Sequence, residues 1–167
     1  KRRLIMAREV IQNNPSLNKI LQCIDSKKSF IVEAGAGSGK TRSLVNTLQY
    51  ILGKDSEFLG KCGKKVVCIT YTNVAKDEII SRINNNPLVL VFTIHEFLWE
   101  IVRRYQEELK KAVIEYHLEE SNKKSKQPIN GLESKLINTQ IIYTEYGKNY
   151  EKGKISHNEV IALSHKI

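Results

Sequence analysis

The chain has 167 residues, with 27 Lys/Arg against 18 Asp/Glu, a net charge of +9 and 41% apolar residues. That is one domain or slightly more, with enough apolar material for a buried core, which excludes wholesale disorder. No apolar run approaches the ~20 residues needed to cross a bilayer, no signal-peptide pattern opens the chain, and Cys23, Cys62 and Cys68 are an odd number without metal-ligand spacing, which fits a reduced cytoplasmic setting.

Residues 1–28 read as one or two short helices, broken at Asn13-Asn14-Pro15-Ser16. Ser16 is expected to cap a helix over Leu17–Cys23, with Leu17, Ile20 and Leu21 on one face. Ser29–Glu33 is a short apolar run that reads as a buried strand. A helix over Lys40–Leu52 follows, with Gly53 as its stop and a polar loop over 53–64. Lys65–Thr70 is a second strand, Ala75–Ile83 a helix and Leu88–Phe92 a third strand. Thr93 and Glu96 have the spacing of a capping box, so a helix should start there and run through Val102. Arg103–Glu120 reads as a charged helix, Ser121–Gly131 as a polar break, and Leu132–Tyr146 as helical, with Ile141-Ile142-Tyr143 open to a strand reading. Ser156 and Glu159 form a second capping box. Strands alternating with helices imply a parallel α/β sheet with helices on its faces.

The charge has a location. Residues 1–99 hold 15 Lys/Arg against 8 Asp/Glu, residues 100–155 hold 11 against 9, and the last twelve residues balance. The surplus before residue 100 suits a polyanionic partner such as a nucleic acid.

Ala34-Gly35-Ala36-Gly37-Ser38-Gly39-Lys40-Thr41 has the spacing of a phosphate-binding loop, with Ala34 where the strict pattern has Gly. It lies between an expected strand and an expected helix, the context such a motif requires. Gly35, Gly37 and Gly39 let the backbone curl so that its N–H groups point inward at phosphate oxygens. The following helix adds the partial positive charge of its N-terminus. Lys40 suits the β- and γ-phosphates, and the Thr41 hydroxyl suits Mg²⁺. Hydrolysis further needs an apolar strand ending in an acid. Leu88–Phe92 leads to Thr93 and His95 instead, and Glu145 follows a Thr with helical flanks. The acid is therefore expected beyond residue 167, or the chain only binds nucleotide.

Two further stretches decide the class. Ile69-Thr70-Tyr71-Thr72-Asn73, with Ala75 and Glu78, resembles motif Ia of the UvrD/Rep-type superfamily 1 helicases, with Tyr71 for Phe and Lys76 for Ala. Val91-Phe92-Thr93-Ile94-His95, with Phe97, resembles motif Ib, with Glu96 for Ser. With Ala34–Thr41 and the following Arg42, three motifs stand in the family's order. Ala34 is itself typical of that family. The resemblance covers residues 17–99, and 155–161 is similar to the stretch before the family's Asp-Glu motif.

The resemblance implies an α/β P-loop NTPase, RecA-like, with a parallel sheet, helices on both faces and a helical insertion. Residues 1–99 would be the first part of the ATP-binding core (subdomain 1A). Residues 100–155 would be a 1B-like helical insertion, and 156–167 a return to the core, truncated before the Walker B strand. It implies ATP and Mg²⁺ at Ala34–Arg42, and a second RecA-like domain in the same parent. It implies single-stranded DNA, or a single-strand/duplex junction, as partner. Tyr71 matches a base-stacking position, and Thr72, Asn73, Thr93 and His95 match positions near the sugar–phosphate backbone. The fragment alone is expected to hydrolyse ATP poorly. The adenine-reading Gln, for which Gln12 and Gln22 are candidates, is not assigned. Two other readings stay open: the helicase part of a RecB-like helicase–nuclease or phage-defence protein, and a complete non-hydrolysing nucleotide-binding module.

Overall fold

The computed structural model describes residues 14–35 and 37–167, which form two compact units divided between residues 91 and 92. Gln12, Ala36 and the expected helix before Asn13 lie outside the described residues.

In the first unit, helix α1 spans Pro15–Asp25. Its cap is Asn14, whose side-chain oxygen accepts from the Leu17 amide at 3.1 Å. The cap therefore sits two residues before the expected Ser16. Pro15 explains the shift, since its fixed φ and missing N–H suit the first helical position. Leu17 and Leu21 bury the inner face. Helix α2 spans Lys40–Lys61, nine residues past its expected last residue, Leu52. Gly53 costs about 1 kcal/mol inside a helix, too little to end one that is held beyond it. Lys54 provides such a hold, pairing with Asp25 of α1 at 2.5 Å beside the Tyr50 hydroxyl. The true stop is Gly63, at φ +61, where the amides of Gly63 and Lys64 return to the carbonyls of Gly60 and Leu59.

Strand β1 (Val66–Thr70) pairs with β2 (Val89–Thr93) across helix α3 (Asn73–Arg82). Val45 and Leu48 of α2 pack with Cys68, Ile79, Ile83, Val89 and Val91 as this unit's core. Burial raises the Cys68 thiol above its usual range. The expected strand over Ser29–Glu33 does not form. That stretch belongs to neither sheet, and Ile31 is 91% exposed. An apolar run becomes a strand only where a neighbour takes its N–H and C=O groups, and among the described residues β1 pairs with β2 alone.

In the second unit, helix α4 spans Ile94–Val102 and α5 spans Gln106–Lys123. The α5 helix starts and stops three residues later than expected. A short helix α6 covers only Leu132–Leu136, so the expected helix to Tyr146 is overturned. The strand alternative at Ile141-Ile142-Tyr143 is the one that forms. Strand β3 (Ile142–Tyr143) pairs in parallel with β4 (Lys154–Ile155). Gln106 supplies a further partner: its amide oxygen accepts from the Ile141 N–H at 2.8 Å and its NH₂ donates to the Ile141 carbonyl at 3.3 Å. Gly153 leads into β4 at φ +66, and a Cβ there would stand 2.5 Å from the Gln140 carbonyl oxygen. Helix α7 (His157–Ser164) closes the unit behind the expected Ser156/Glu159 capping box. Leu109, Val113, Leu136, Ile141, Ile155, Val160 and Leu163 form a fully buried core. Both units are mixed α/β, with helices around small sheets.

Candidate functional site

The glycine-rich loop leads directly into α2. Gly37 and Gly39 stand at φ +74 and +81, and Gly39 is the residue at the helix N-cap. No Cβ at either position would meet a neighbour within 4 Å, so conformation rather than crowding calls for glycine. Ser38 ties the turn, its hydroxyl donating to the Gly35 carbonyl at 2.8 Å. Gly39 offers no side chain to cap the helix. The first amides of α2, from Lys40 and Thr41 onward, therefore point out of a helix end carrying positive potential. The Lys40 ammonium donates to the carbonyls of Ala34 at 2.9 Å and Gly35 at 2.6 Å. It thus lies over the mouth of the loop. Thr41 is half-buried and Arg42 exposed. Gln22 lies on the exposed face of α1.

Tyr71 follows the end of β1 and is 80% exposed. The Thr72 hydroxyl caps α3 by accepting from the Ala75 amide at 3.2 Å, and Asn73 opens that helix. In the second unit, Thr93 is buried. Its hydroxyl accepts from the Glu96 amide at 3.3 Å, while the Glu96 carboxylate accepts from the Thr93 amide at 2.7 Å. Glu96 thus completes the cap with its carboxylate. His95 follows in the first turn of α4, half-buried. Burial, with the nearby His157, pulls its pKa below the usual imidazole range.

A sequence model of the UvrD/REP helicase N-terminal domain matches residues 13–165. The chain belongs to the UvrD/REP helicase N-terminal domain family. It is 38% identical over 141 residues to Gabija protein GajB of Bacillus cereus (strain HuB5-5), covering 84% of this chain and 18% of that protein. It is 38% identical over 79 residues to ATP-dependent DNA helicase Rep of Buchnera aphidicola subsp. Baizongia pistaciae, covering 44% of this chain and 11% of that helicase. The chain therefore spans less than a fifth of the length of either relative. No solved structure matches it.

Within this UvrD/REP-type domain, three groupings were not legible as motifs. The His157 ring stacks on His95 with centroids 4.0 Å apart. The Tyr143 hydroxyl lies 2.6 Å from His157 Nδ1. The third is a polar knot in which the Lys148 ammonium meets Glu120 at 2.8 Å, Glu159 at 3.2 Å and the Tyr150 hydroxyl at 3.1 Å. The one available signal was Glu159, visible as a capping residue but not as an ion-pair partner. Among the described residues no three His, Cys, Asp or Glu side chains form a metal-binding group. Thr41, the residue expected to hold Mg²⁺, offers a hydroxyl oxygen, the hard donor type such an ion takes. No described helix is long and apolar enough to cross a membrane.

Proposed function

We propose that this chain is the ATP-binding N-terminal part of a cytoplasmic, ATP-dependent DNA helicase or single-strand translocase with a RecA-like core. One observation carries the reading: a loop with two left-handed glycines feeds an uncapped N-terminus of α2, with the Lys40 ammonium across its mouth. The loop amides and Lys40 bind the triphosphate. Phosphate oxygens displace the Ala34 and Gly35 carbonyls as acceptors for Lys40, because an anionic oxygen attracts the ammonium by its full charge where a neutral carbonyl offers only a dipole. The Thr41 hydroxyl would hold Mg²⁺, which when bound would supply positive charge against the β- and γ-phosphates. Arg42 adds positive charge beside the loop. A second RecA-like domain of the same parent completes the ATP site, and residues 100–155 are an insertion in the core, helical at first and then carrying the short β3–β4 pair. In the natural protein, ATPase activity should rise when single-stranded DNA is added, and a single-strand-tailed duplex should unwind only with ATP and Mg²⁺. Unwinding that proceeds without nucleotide would overturn the reading.

Single-stranded DNA is the partner in this proposal. Tyr71 presents a ring whose stacking face suits any base, as strand tracking requires. Thr72, Asn73, Thr93 and His95 offer hydroxyl, amide and imidazole groups suited to the sugar–phosphate backbone. Thr72 and Thr93 already accept cap bonds, and each hydroxyl keeps its proton to donate. Tyr71→Ala should weaken single-strand binding by about 1–3 kcal/mol, nearly independently of base composition, by fluorescence anisotropy with labelled oligonucleotides. Unchanged affinity would return Tyr71 to a solvated rim.

A further inference from the structure

His95 sits in the first turn of α4, behind the Thr93 cap, and His157 opens α7 behind the Ser156 cap. Their rings are nearly coplanar in orientation, tilted by 14°. Tyr143 of β3 continues the stack, its ring 5.5 Å from His157 and tilted by 25°. Trp99 of α4 leans on Tyr143 at 6.3 Å. Four side chains from α4, β3 and α7 thus make one aromatic column ending on His95.

The column has a direction. Burial first, and then the facing His157 ring, pull the His95 imidazole below its usual range. Burial pushes the Tyr143 phenol up to about 12, with Glu145 and Glu96 adding to the shift. A phenol that keeps its proton can donate it to His157 Nδ1, which leaves Nε2 as the N–H side of that ring. The His157 plane is then fixed by a hydrogen bond on one side and by His95 on the other. An imidazole in such a stack has surrendered its rotamer freedom before any ligand arrives.

We propose that His157 and Tyr143 are positioning residues for His95: Tyr143 fixes the His157 ring, and the His157 ring holds the His95 imidazole in the orientation that meets a phosphate of single-stranded DNA. The proposal rests on His95 as a DNA-backbone contact. It adds two residues outside the helicase motifs, 48 and 62 positions further along the chain.

The test uses the natural protein and a labelled oligodeoxythymidylate, with affinity read by anisotropy at fixed salt. His95→Ala and His157→Ala should each weaken binding about five- to tenfold, and the double variant no more than His95→Ala alone. His157→Phe keeps the stack and should restore most of the affinity. Tyr143→Phe, which removes one hydroxyl, should cost two- to threefold with none of that loss left in a His95→Ala background. It reads the same coupling if His157→Ala fails to fold. The proton resonances of His95 supply a second readout. Glu96, its neighbour in the chain, is unchanged in these variants. The His95 titration midpoint, lowered by burial and by the nearby His157, should rise in His157→Phe, because the second of those causes is gone. If His95→Ala loses affinity while the His157 and Tyr143 losses multiply with it, or are absent, the positioning role is overturned and the His95 contact stands. If His95→Ala binds as the parent does, both fall.

Discussion

Lys40→Ala in the natural protein is expected to lower the ATPase rate by at least about 10²–10³-fold and to abolish ATP-driven unwinding. The magnitude is that of removing one preorganised charge-stabilising donor from a transition state. Lys40 is exposed and donates only to the exposed carbonyls of Ala34 and Gly35. Water can take over both acceptors, so the substitution should change folding stability by no more than about 0.5 kcal/mol. Activity and stability therefore separate at this position. Lys40→Arg should not rescue, because the planar guanidinium is a fork and the loop mouth holds a compact ammonium between two carbonyls 2.6 and 2.9 Å away. Steady-state ATPase and strand-displacement assays read the loss, and urea denaturation reads the unchanged fold. A Lys40→Ala protein that still unwinds duplex would remove the phosphate-loop assignment.

What was legible in the sequence was local. Both capping boxes form as expected, because the acceptor and donor lie three residues apart and need no distant partner. The glycine loop likewise announces its own left-handed turns at Gly37 and Gly39. Gly53 misled for the complementary reason. A glycine stops a helix only when nothing beyond it holds the helix together, and Lys54 is held by Asp25 on another element. The same logic covers Ser29–Glu33. Its apolar pattern is strand-like, but pairing is a property of neighbours, and the segment has no described strand beside it. At Ile141 the reverse occurs: helical-looking sequence becomes strand-like because Gln106, 35 residues away, supplies its hydrogen bonds. The His95–His157 stack and the Lys148 knot also join residues far apart in sequence, so no spacing rule reaches them. Membership of the UvrD/REP family was legible because its motifs are short loops at strand ends, where the residue types are the chemistry.

The second large effect is expected at Lys148. Glu159 is 2% exposed. One of its oxygens caps α7 through the Ser156 amide at 3.0 Å and the Ser156 hydroxyl, and the other meets Lys148 and Tyr150. Glu120 takes both Lys148 and Lys124. Burial opposes the Lys148 charge, but the bonds to Glu120, Tyr150 and Glu159 win and raise its pKa. Lys148→Met removes the cation and leaves a buried carboxylate whose remaining partners are neutral. Breaking a buried pair in this way costs about 3 kcal/mol, at the low end of the range because the lysine is partly exposed. Lys124→Met provides the contrast. Lys124 is more than half exposed and Glu120 keeps Lys148 as a partner, so its loss should cost about 0.5 kcal/mol or less. The pH dependence separates the two further. The hydrogen bonds from Lys124 and Lys148 hold Glu120 down at about 2, and the Glu159 carboxyl is also lowered, against its burial, by Ser156 and Lys148. The depressed Glu120 pKa contributes stability that is present above the ordinary 4.5 and is lost as pH falls through its folded value of about 2, and the lowered Glu159 acts in the same sense. The parent should therefore weaken steeply across that window. In Lys148→Met, protonation instead relieves the buried Glu159, so the gap between parent and variant should narrow as the medium becomes acidic. Urea midpoints measured at neutral pH and again near pH 3 read this directly, and a gap that stays constant would show that Lys148 does not carry the charge balance of the knot.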